Sequence, residues 1–142
     1  MAVTRIAQAH WEGPLLDGGK GTVSLESSGI GSFAVSWAAR SAEPGGQTSP
    51  EELIGAAHAA CYSMALSNGL AKAGFTDITL DTKAEVGFTP GVGITGSHLT
   101  VRGAVPGITA EQFAEATEDA KLNCPVSKAL AGTTITLDAA LA

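Results

Sequence analysis

Apolar and polar residues alternate over short stretches in the first third of the chain, and glycine-rich turns separate those stretches. Trp11, the segment from Gly21 to Glu26 and the run from Phe33 to Trp37 carry the alternation, with Asp17, Gly18, Gly19 and Lys20 forming a turn after the first. A period of two punctuated by glycine predicts an antiparallel meander of three strands. The last of these is expected to continue through Trp37, Ala38 and Ala39 and to end at Arg40. Ser41 to Thr48 is polar and holds Pro44, Gly45 and Gly46, so a loop is predicted there.

The pattern then changes to a helical one. Ser49 is placed to cap a helix, Pro50 suits its first position, and Glu52 stands where its side chain can return to the Ser49 backbone N–H. From Leu53 to about Ala73 the segment is Ala-rich and apolar nearly all round, which predicts burial on more than one face. One small domain rarely encloses such a helix, so dimerisation through it is expected. It does not read as a membrane span, because Glu51 and Glu52 open it and His58 and Asn68 lie within it.

Two alternating runs follow, Ile78 to Gly87 and Ile94 to Val105, with a turn around Pro90 and Gly91. Thr109 and Gln112 form a second capping box for a helix over about Ala110 to Leu122, whose apolar face is Phe113, Ala116, Ala120 and Leu122. Pro125 can begin a short helix, and Thr133 to Leu141 closes the chain as a strand. The order of elements is α+β, in one domain spanning 1–142, with no internal repeat.

The formal charge of −6, with only five Lys and three Arg, argues against a nucleic-acid partner, since such affinity rests on clustered cations. The segment from Met1 to Gln8 shows neither a secretory nor a transit pattern, which points to the cytoplasm. The two cysteines, Cys61 and Cys124, then read as reduced or redox-switching thiols rather than as a permanent staple. The residue types alone leave two buried core thiols equally open.

His58 stands three residues before Cys61, on the same helical face, and is a candidate for stabilising a thiolate as well as an ordinary helix-interior histidine. Cys124 precedes Pro125 at a predicted helix N-terminus, where unpaired N–H groups favour a thiolate, so local physics makes Cys124 the attacking thiol. A metal site drawing on His58, Cys61, Cys124, His10 or His98 matches no established zinc spacing. No Gly-rich phosphate loop is present either. No metal or cofactor is expected.

The segments SPEELIGAAHAAC (residues 49–61), CPVSKAL (124–130) and AHWEG (9–13) together resemble the OsmC branch of the OsmC/Ohr family, and the match runs nearly end to end. The resemblance implies an OsmC-like fold, with antiparallel sheets, a long buried central helix and an intertwined homodimer whose sites lie at the subunit interface. It also implies a thiol peroxidase acting on organic hydroperoxides, with hydrogen peroxide as a further candidate substrate and an external dithiol as reductant. Cys61 matches the family's peroxidatic cysteine and Cys124 its resolving cysteine, which reverses the order that local physics gives. Arg40 matches the active-site arginine, and Glu51 the glutamate that pairs with it. The Ohr branch typically has an aromatic residue at the position of His58, which implies that this side chain shapes the pocket more than it moves protons. An apolar cleft lined by Phe33, Leu53, Tyr62 and Met64 would suit organic hydroperoxides.

Glu51 and Cys61 are ten residues apart, a rise of about 15 Å at 1.5 Å per residue. One straight helix therefore cannot supply both to a single site. The competing class is a non-enzymatic dimeric stress-response protein that binds a small hydrophobic ligand in the same cleft and keeps its cysteines as passive core residues.

Overall fold

The computed structural model describes all residues from Met1 to Ala142, and the chain falls into two compact units, Met1–Pro50 and Glu51–Ala142. The amino-terminal unit is the expected meander. Strands β1 (Gln8–Glu12), β2 (Lys20–Ser24) and β3 (Ser32–Val35) pair antiparallel in that order, with Gln8 opposite Ser24 and Gly21 opposite Val35. Gly19 is required at the first turn, because a Cβ there would lie 2.2 Å from the Pro14 carbonyl oxygen and 2.7 Å from the Trp11 ring.

The third strand stops sooner than its alternation predicts. Trp37 to Ser41 form a short helix, α1, so Arg40 lies in a helical turn and not at a strand end. Ser36 causes the change: its extended backbone ends the strand, and its hydroxyl accepts the Ala39 N–H at 3.2 Å while donating to Gln47 Oε1 at 2.6 Å. With that cap in place, the helix-favouring Ala38, Ala39 and Arg40 outweigh the alternation of Phe33, Val35 and Trp37.

In the carboxy-terminal unit, α2 (Pro50–Lys72) is followed by β4 (Thr79–Thr89), β5 (Gly93–Ala104), α3 (Ala110–Asn123), α4 (Pro125–Ala129) and β6 (Thr134–Leu141). β4 and β5 form an antiparallel hairpin with a register shift at Gly87/Phe88, and β6 adds to the other edge of β5. That last pairing is parallel, with Gly96 opposite Thr134 and Gly103 opposite Leu141. A parallel neighbour needs a crossover, which α3 and α4 provide. The Thr109–Gln112 capping box of α3 is closed in both directions, at 3.1 and 3.0 Å.

The sheet has one covered face. Ser97, Leu99, Val101 and Gly103 alternate inward along β5, while Arg102 faces out to pair with Asp138 of β6 at 3.4 Å. The core joins Tyr62, Leu66 and Leu70 of α2 to Leu99 and Val101 of β5, Phe113 and Ala120 of α3, and Cys124. Two glycines allow close approach: a Cβ on Gly55 would stand 3.2 Å from the Ala84 carbonyl of β4, and one on Gly103 would stand 2.6 Å from the Phe113 ring. On α3 the inward face is Phe113, Thr117 and Ala120, whereas Leu122 is exposed.

α2 buries a single stripe, Glu51, Gly55, His58, Tyr62, Leu66 and Leu70, not several faces. Its other side leaves Ala56, Ala57, Ala60 and Met64 exposed. No helix is long and apolar enough to cross a membrane.

Candidate active site

Cys61 and Cys124 meet where α2 passes the junction of α3 and α4. Cys61 is half-buried and Cys124 fully buried, and both are free thiols. Cys124 is at once the last cap of α3, with its N–H donating to the Ala120 carbonyl at 2.9 Å, and the N-cap of α4, with its carbonyl accepting the Lys128 N–H at 3.0 Å. Pro125 at the first position of α4 forces this sharp change of direction.

The Cys124 side chain makes no capping bond to α4. Instead the backbone N–H of the second residue of that helix, Val126, and the Cys124 thiol both lie near enough to Cys61 to influence its ionisation. The start of α4 thus favours the Cys61 thiolate, where local physics alone points to Cys124. Burial pushes the Cys61 thiol above its ordinary pKa, the Val126 N–H opposes this, and the Cys124 thiol adds to it. An N–H aimed at the sulfur is stronger once the sulfur is charged, so it favours the thiolate.

His58 does not act on either thiol directly. Its ring is fully buried, with Nδ1 2.8 Å from Ser97 Oγ on β5 and Nε2 2.8 Å from Ser127 Oγ on α4. Burial lowers its pKa, which keeps the imidazole neutral, and a neutral ring offers one donor and one acceptor to the two hydroxyls. Neither serine is marked by spacing as a partner of His58, since Ser97 and Ser127 lie 39 and 69 residues from it.

Of the remaining candidates, Glu51 is buried in the first turn of α2 and Arg40 half-buried in α1. α2 runs unbroken from Pro50 to Lys72, so Glu51 and Cys61 of one chain stay about 15 Å apart. Tyr62 is not a cleft residue. It is fully buried, its hydroxyl donates to the Thr117 carbonyl at 3.0 Å, and burial raises its pKa. No group of three or more His, Cys, Asp or Glu side chains is arranged to hold a metal ion.

Residues 43–138 match the family model described as OsmC-like protein. The chain belongs to the OsmC family. Peroxiredoxin OsmC of Escherichia coli strain K12 is 47% identical over 141 residues, covering 97% of this chain and 96% of that protein, and the Shigella flexneri protein of the same name matches equally. Among solved structures, an organic hydroperoxide resistance protein OsmC from Legionella pneumophila superposes with a TM-score of 0.70 at 24% identity, covering 100% of this chain and 98% of that one. The organic hydroperoxide resistance protein OhrB of Bacillus subtilis gives 0.64 at 22% identity, covering 96% and 98%. These likenesses show that this OsmC-family chain has the α+β fold of the OsmC/Ohr proteins.

Proposed function

We propose that the chain is a thiol peroxidase that reduces organic hydroperoxides through a Cys61–Cys124 dithiol. The observation that carries this reading is the proximity of the two thiols, Cys61 packing against the core that holds Cys124, in a chain 47% identical to proteins named peroxiredoxin. The Cys61 thiolate attacks the distal peroxide oxygen, the O–O bond breaks, and the alkoxide leaves with a proton as an alcohol. The Cys61 sulfenic acid then condenses with the Cys124 thiol, releasing water and forming the disulfide. An external dithiol reduces it by exchange and is itself oxidised. The half-burial of Cys61 and full burial of Cys124 suit this order, since the attacking sulfur needs access and the resolving sulfur needs only Cys61.

Arg40 and Glu51 complete the site in this reading, the guanidinium favouring the thiolate and the carboxylate holding the guanidinium. The active form is a homodimer of one OsmC-like domain per chain, 1–142, working in the cytoplasm. The exposed Ala56, Ala57, Ala60 and Met64 of α2 support the dimer, because they form an apolar side that a partner can bury. The roughly 15 Å between Glu51 and Cys61 supports a site shared between subunits.

The test is consumption of cumene hydroperoxide with excess dithiothreitol. Repeated turnovers per chain are expected. Consumption that stops at one equivalent would leave a binding protein with oxidisable core thiols.

A further inference from the structure

α4 has five residues and carries Cys124 and Val126 at its start, yet so short a helix has little stability of its own. Its hold on α2 therefore depends on what ties it there. Ser127, the third residue of α4, is 5% exposed and bonds to His58, which in turn bonds to Ser97, itself 3% exposed. Three buried polar side chains thus form one chain of hydrogen bonds from the central strand, through the central helix, to the helix that bears the second thiol.

We propose that His58 is a positioning residue for the dithiol: through Ser127 it fixes α4 against α2, so that Cys124 stands beside Cys61 and the Val126 N–H meets the Cys61 sulfur. This deepens the peroxidase reading and rests on it for its purpose, but the geometry concerns the two thiols alone. Successive residues of a helix turn by about 100°, so pinning Ser127 also fixes the direction in which the preceding Val126 N–H points. His58 itself is set by the Ser97 bond one helical turn before Cys61, so both partners of the dithiol are referred to the same ring. A leucine would fill the position but leave the buried Ser97 and Ser127 hydroxyls without this partner, and would let α4 turn.

The experiment reads how readily the two thiols close on each other without peroxide. In glutathione buffers, oxidised glutathione accepts two electrons, the Cys61–Cys124 disulfide forms and two reduced glutathiones are released, so the equilibrium constant measures the closeness of the pair. His58→Leu and Ser127→Ala should each lower that constant about tenfold, or about 30 mV for a two-electron couple, and should open buried Cys124 to iodoacetamide. His58→Gln, which keeps a donor and an acceptor, should recover part of the loss. Leu66→Ala, a cavity at an equally buried position of the same stripe, should leave the constant within about twofold of wild type while lowering stability.

Wild-type constants in folded His58→Leu and Ser127→Ala, or an equal loss in Leu66→Ala, would overturn the proposal. Should His58→Leu fail to fold, Ser127→Ala, which deletes one hydroxyl, decides the matter by itself. Because no peroxide is used, failure of the wild type to turn over hydroperoxide would sink the peroxidase reading and leave this result standing.

Discussion

The Val126 backbone N–H lies near the Cys61 sulfur and opposes the effect of burial on it, although Val126 belongs to the helix capped by the other cysteine. One short helix thus presents a thiol from its cap and an amide from its second residue to the same point on α2. The two cysteines are consequently unequal partners. One is half-buried with the amide nearby, while the other is fully buried.

That inequality predicts different losses. Cys61→Ser should abolish hydroperoxide turnover with the fold intact, since it replaces the nucleophile by an atom of similar size. Cys124→Ser should allow a single round and leave Cys61 as a sulfenic acid that excess peroxide carries to the sulfinic acid. Mass spectrometry of the treated variants decides between the roles, and oxygen added at Cys124 of the Cys61→Ser chain with retained turnover would reverse them.

His58 predicts an acid dependence of stability. Burial lowers its folded pKa below the ordinary value near 6.5, and its partners Ser97 and Ser127 are uncharged. Below that value the unfolded chain takes up a proton that the folded chain refuses. The contribution is therefore fully present above about pH 6.5 and shrinks as the pH falls toward the folded pKa. Urea denaturation should show His58→Gln losing less stability than wild type between pH 6.5 and 5, and parallel curves would mean that the ring is solvated in the folded state.

At Gly103 the strand meets the Phe113 ring so closely that an added methyl would stand 2.6 Å from it. Gly103→Ala should cost about 1 to 3 kcal/mol, because the ring cannot move aside without disturbing the core. A urea midpoint equal to that of wild type would show that Phe113 repacks freely.

How much of this was legible beforehand depended on whether the cause was local. The Thr109–Gln112 box and Pro50 fixed the starts of α3 and α2 because capping chemistry lies within a few residues. Ser36 is equally local, yet the alternation of Phe33, Val35 and Trp37 masks it and puts Arg40 on a strand where the structure has a helix. The parallel direction of β6 leaves no mark on its own residues, since it is decided by the crossover through α3 and α4. The cysteines were legible as a pair. The Val126 donor was not, because every residue but proline has a backbone N–H, and the two serines that hold His58 lie 39 and 69 residues from it.

Arg40 is expected to set the reactivity of Cys61. Burial raises the thiol pKa, and a guanidinium within reach opposes that by one to three pH units, about tenfold or more in thiolate at neutral pH. Arg40→Ala should slow iodoacetamide alkylation of Cys61 accordingly and move the midpoint of its pH profile upward. An unchanged profile would remove Arg40 from the site.

The last expectation concerns the assembly, and it follows from α2 alone. This helix buries one stripe and leaves Ala56, Ala57, Ala60 and Met64 exposed on the other side, an apolar surface that a two-fold partner would cover. The same unbroken helix keeps Glu51 and Cys61 about 15 Å apart, so a site that uses both draws them from different chains. Cys61→Ser and Glu51→Ala chains should each be inactive alone. Unfolded and refolded together in equal amounts, half of the dimers pair unlike chains, and each of these holds one intact site of two, giving about a quarter of wild-type turnover. A monomer by sedimentation at micromolar concentration with full activity would exclude a shared site altogether. A dimer whose mixed chains stay inactive would exclude only the sharing of these two residues between subunits.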